Sequence, residues 1–188
     1  MRLIVCLCAV AAYAQAPSSK PPASGLEPAW DIAVVLQEIA AHAGRLLPVL
    51  DQLDVPAWVS KGASDTYLAQ LESSRQQTRA VADEAAALAR SPEKLSGALQ
   101  LFFRMEALES MLNSLQEGAR KYQAPQLAQS LAAVSGEGGV NRERLRSYIV
   151  NLAAEREHQF EVMDREAQRC RATLMAPAPP PKSSGRKK

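Results

Sequence analysis

"ALQLFFRMEALESMLNSLQEGARKY", residues 98–122, places apolar side chains at Ala98, Leu101, Met105, Leu108, Leu112, Leu115, Ala119 and Tyr122. The steps alternate three and four residues, the spacing that stacks side chains on one helix face and builds a heptad seam. A seam this long has to be covered by other helices, so the stretch predicts a bundle.

Working outward, "RSPEK" (90–94) separates this helix from the one before it. Ser91 suits an N-cap, Pro92 the first helical position, and Glu93 the positive end of the helix dipole. The preceding helix is predicted from Asp65 to Arg90, with a smaller, more polar seam of Tyr67, Leu71, Ser74, Thr78, Val81, Ala85 and Leu88. The short connection between these two helices requires them to be antiparallel.

A first helix is predicted from Pro28 to Leu53, on Ile32, Leu36, Ile39, Ala43, Leu46, Leu50 and Leu53. Pro48 lies inside it and removes the bond to residue 44, which predicts a kink or break near Gly44. A short helix over 125–134 and a turn at "SGEGG" (135–139) come next. Asn141 is then expected to cap a last long helix reaching Leu174. The fold class is therefore all-α: an up-and-down four-helix bundle with a kinked first helix and one short extra helix before the last long one.

The ends read differently. "MRLIVCLCAVAAYA" (1–14) has a basic start, an apolar stretch and small closing residues, the layout of a secretory signal peptide. Residues 15–28 form a Pro/Ser-rich leader, 29–175 the helical domain, and 176–188 a Pro-rich basic tail, both ends expected to be disordered. Loss of the signal leaves Cys170 as the single cysteine, so no internal disulfide is expected. The 22 basic and 20 acidic residues nearly cancel, but Lys182, Arg186, Lys187 and Lys188 concentrate positive charge in the tail. That tail can attract anionic polymers weakly, without the aromatic interleaving of a nucleic-acid binder. No stable membrane span is expected once the signal is removed.

Each candidate site has a bland alternative. Glu155 and His158 in "EREHQF" (155–160) have the Glu-x-x-His spacing of helix-bundle metal sites, which also require a second such pair and two further carboxylates. The stripe of the last helix is Leu145, Ile149, Leu152, Phe160, Met163, Ala167 and Leu174. His158 falls roughly 160° from its centre, so the pair reads as a wet face. Arg156 falls near the stripe centre, where it is either paired with an acid, stretched to water, or an interior charge. Cys170, among Arg165, Arg169 and Arg171, is either a buried inert thiol or a link between two chains.

Leu99 and Phe103 lie beside the seam of residues 98–122, and the latter falls far from its centre. They predict either cover by the first helix and the "DVPAWVSKGA" loop (54–63), with Trp58 as a plug, or a surface for a partner. No nucleophile elbow, zinc spacing or nucleotide fingerprint occurs, so no enzyme and no cofactor are expected.

The reading is an exported, periplasmic or extracellular, non-enzymatic bundle that binds another protein or itself, a homodimer included. One alternative is a chaperone-like clamp with an open groove near Phe103. The other is a small-ligand or metal bundle using charges around Arg156, Glu106 and Glu109.

Overall fold

The computed structural model describes residues 29–175. The signal peptide, leader and basic tail expected from the sequence lie outside these residues. The described chain is all-α, a bundle of α1 (Ala29–Leu50), α2 (Val55–Ser60), α3 (Thr66–Ala89), α4 (Leu95–Tyr122), α5 (Pro125–Glu137) and α6 (Gly139–Met175).

Helix α1 packs against α3, α5 and α6, and α4 packs against the same three partners. The backbones of α1 and α4 do not approach each other closely, and neither do those of α3 and α6, so each pair lies on a diagonal. The cross-section is thus a square whose fourth corner is shared. Helix α5 fills it beside the C-terminal half of α4, and the first half of α6 fills it beside the N-terminal half.

The seams predicted from spacing are the buried faces. Leu71, Ser74, Thr78, Val81, Ala85 and Leu88 are buried on α3, and Ala98, Leu101, Leu108, Leu112, Leu115 and Ala119 on α4. The two polar members of the α3 seam are satisfied within their own helix: Ser74 Oγ donates to Gln70 O at 2.8 Å and Thr78 Oγ1 to Ser74 O at 2.7 Å. Asp31–Leu50 is, by length and composition, apolar enough to cross a membrane. Here its Ile32, Val35, Leu36, Ile39, Ala43, Leu46 and Leu50 are buried, so this face packs into the core of the bundle.

The boundaries differ from the expectations in three places. Helix α1 continues through Gly44 and Pro48, and its interruption comes after Leu50. Pro48 stands in the last turn, where few later bonds depend on it, and Asp54 then caps α2 by accepting from Ala57 N at 3.1 Å. Ser91 does not cap α4; the helix starts at Leu95, and "RSPEK" is the turn itself, closed by Lys94 N donating to Ser91 O at 3.2 Å. "SGEGG" is helical up to Glu137, and α6 begins at Gly139, ahead of Asn141. Gly138 is needed at that junction because a Cβ there would come within 2.7 Å of the His42 ring.

Candidate functional site

One end of the bundle is closed by Trp58, whose side chain is fully buried. Its indole lies against α4 at Gly118, where a Cβ would stand 2.6 Å from the ring. The Tyr67 ring meets it edge-on at 5.7 Å. Gln123 completes the closure. Its Oε1 accepts from Trp58 Nε1 at 2.9 Å and from Asp54 N at 3.0 Å, while its Nε2 donates to Gln52 O at 2.9 Å. Trp58 is therefore core, not an interaction residue. It is not the plug for Phe103 either, which sits 15 residues away from Gly118 on α4, about 22 Å along a helix. Gln123 and Gly118 were not singled out from the sequence, although a glycine inside a long helix, beside its seam, is a usable signal of close approach.

Leu99 is half-buried and Phe103 is 64% exposed, with Phe102 and Phe103 in edge contact at 5.9 Å.

The opposite end is open. Buried residues on α6 stop at Leu152, yet the helix runs on to Met175. Residues 156–175 are all exposed, a projecting rod about 30 Å long at 1.5 Å per residue. Phe160, Met163 and Leu174 are 69%, 62% and 81% exposed. With Ala167 and Cys170 they step by three, four, three and four residues, a second heptad seam. Between Leu152 and Phe160 the pattern carries one extra four-residue step, a stutter at Arg156. At about 100° per residue the projecting seam still centres within roughly 30° of the buried one.

Arg156 is accordingly not an interior charge. Its guanidinium donates to Gln159 Oε1 at 3.0 Å and to the Glu93 carbonyl at 3.1 Å, because no helix faces it beyond Leu152. Cys170 is exposed rather than buried. His158 is exposed and Glu155 half-buried, with Gln159 Nε2 donating to Glu155 Oε1 at 2.8 Å. Among the described residues, no group of three or more His, Cys, Asp or Glu side chains could hold a metal. Glu106 and Glu109 are drawn to Arg142 across the α4–α6 interface, with Glu106 Oε1 at 3.2 Å from Arg142 Nε.

Where α5 gives way to α6, a cavity of about 90 Å³ opens between all four walls, with Ala43, Leu46, Leu108 and Leu112 among its apolar lining. Its polar lining includes His42, Ser135 and Arg142. His42 Nε2 donates to Val134 O at 2.6 Å. The buried Ser135 Oγ has no hydrogen-bond partner. Tyr148 stands farther along α6, where its hydroxyl donates to Pro92 O at 2.9 Å. Burial pushes its phenol pKa up; the nearby Glu93 charge adds to the rise and Arg156 opposes it.

No family model matches the chain, and neither a curated protein nor a solved structure matches it.

Proposed function

We propose that this protein is an exported, non-enzymatic interaction module that works in the cell envelope or outside the cell. Its binding element, on this reading, is the projecting part of α6. One observation carries the reading: a regular seam of Phe160, Met163, Cys170 and Leu174 stands in water on a helix that has left its own core. Exposed apolar stripes of this kind mark surfaces that another helix covers. Residues 1–14 supply the export signal, which predicts a processed chain beginning at residue 15.

The test is the native size of the chain in the envelope fraction of its own cell. Wild type is expected to migrate as a complex larger than the monomer, and Met163→Glu with Leu174→Glu as the monomer. Wild type migrating as a monomer would overturn the reading.

A second reading is favoured by Ser135. An unpartnered hydroxyl beside an apolar cavity suits a small apolar ligand with one hydrogen-bonding group, such as a short-chain alcohol or phenol. Calorimetric titration with phenol checks it: binding to wild type that is lost in Ser135→Ala supports it, and no heat of binding removes it.

A further inference from the structure

We infer that the projecting half of α6 pairs with the same segment of a second copy, antiparallel, through Met163, Ala167, Cys170 and Leu174. The inference rests on the reading of α6 as the binding element and names its occupant.

Direction follows from the fold. The projecting seam continues the side of α6 that faces the body, so a helix laid on it sits directly over the open end of the bundle. A parallel partner, followed back toward its own residues 139–155, would run into that end of the body. An antiparallel partner runs away from it, and only the tip of the partner's helix points at the body. Two-fold pairing of identical surfaces is also the commonest route to a dimer.

Charge then selects the register. With Phe160 and Ala167 in one core position and Met163 and Cys170 in the other, Asp164 and Arg171 flank the seam on one side and Glu166 and Thr173 on the other. Setting Met163 opposite Leu174 of the second copy, and Ala167 opposite its Cys170, brings Asp164 beside Arg171 twice. Shifting by one heptad, so that Phe160 meets Cys170, sets Asp164 against Asp164 and Glu166 against Glu166. The first register brings only opposite charges together on this flank, whereas the second keeps Glu157 beside Arg171 but adds the like pairs at Asp164 and Glu166. The small Ala167 and Cys170 layers at the centre let the backbones approach, and Met163 with Leu174 closes each side.

The pairing explains why the helix is laid out as it is. Gln168 Nε2 donates to Asp164 Oδ2 at 2.8 Å and Arg169 to Glu166 at 2.9 Å, local pairs that each give the helix modest support. These pairs lie off the seam and leave it bare.

The experiment is light scattering of the purified chain over a concentration series, with Asp164→Arg, Arg171→Asp and the double variant. Wild type is expected to dimerise. Each single reversal weakens the dimer about tenfold by placing like charges opposite at two symmetric points, and the double variant recovers wild-type affinity. A single reversal that does not weaken the dimer, or a double variant that fails to recover, would overturn the register.

Direction is checked by disulfide trapping of the processed chain. Wild type carries its one thiol at Cys170, and the variant Ala167→Cys with Cys170→Ser carries its one thiol at position 167. Antiparallel pairing predicts cross-links mainly in the mixture of the two, whereas efficient cross-links within each sample alone would establish parallel pairing and overturn the proposal. A purified chain that stays monomeric, while the envelope complex persists and depends on Met163 and Leu174, removes the second copy but leaves the interaction reading standing. A chain monomeric in both removes both. A dimer restored by deleting residues 15–28 would assign the face to the chain's own leader and overturn the second copy as its native occupant.

Discussion

At one end of the bundle the polar groups around Trp58 have partners, and Gly118 is bare so that the indole can touch the α4 backbone. At the other end α6 leaves the core with its apolar face uncovered. The same physics acts at both ends: apolar surface is driven out of water, by roughly 25 cal/mol per Å². The closed end satisfies it within the chain. The open end, on our proposal, satisfies it between chains. The difference teaches where stability and function separate, since substitutions at the first should cost folding and those at the second should cost association.

The largest effect is expected at the plug. Trp58→Ala should destabilise the fold by about 3–5 kcal/mol, the range for emptying a large aromatic site, read by urea unfolding. Met163→Ala in the projecting seam should change monomer stability by less than about 0.5 kcal/mol. Equal losses in the two would show that the projecting helix is packed on its own body, and the contrast between the ends would collapse.

Gly118→Ala comes next. Its new Cβ would meet a buried indole rather than a flexible chain end, so a loss of about 1–3 kcal/mol is expected from overpacking. A neutral result would mean that the closed end has slack.

Tyr148→Phe sharpens the boundary between the two halves of α6, because Tyr148 lies just before the helix leaves the core. Its hydrogen bond to Pro92 O should be worth about 1 kcal/mol at neutral pH. Its raised pKa means that the folded state holds the phenol proton more tightly than the unfolded state does. This contribution is full below the unfolded pKa of ~10 and is lost as pH rises beyond it through the folded value. Wild type should therefore lose stability above about pH 10 more steeply than the Phe variant, measured by urea midpoints against pH. Equal alkaline limbs would place the phenol in water.

Much of this was legible beforehand, for a specific reason. The α3 and α4 seams were readable residue by residue because each packs on the core along its length, with only Tyr67, Met105 and Tyr122 half-buried, so period and burial coincide. In α6 the period persists after burial ends. Spacing alone cannot tell a seam covered by its own chain from one left open, and Cys170 and Arg156 were drawn inward with it. The Trp58–Gln123 closure was hidden for a different cause: it joins residues 65 apart by side-chain hydrogen bonds that leave no periodic trace. The cavity at Ser135 arises from the α5–α6 junction at Gly138, where "SGEGG" suggested only a turn.

The smallest effect on the monomer is expected from removing the open end altogether. A chain ending at Gln159 keeps the Arg156 contacts to Gln159 and the Glu93 carbonyl and every buried residue of α6. Its stability at low protein concentration should lie within about 0.5 kcal/mol of wild type. Concentration then separates the two. A dimer formed only by folded chains stabilises them by mass action, so the wild-type unfolding midpoint should climb with protein concentration, while that of the shortened chain stays fixed. If both midpoints stay fixed, the seam finds no second copy. If the shortened chain is the less stable at every concentration, the rod belongs to the core after all, and the distinction between the two ends is lost.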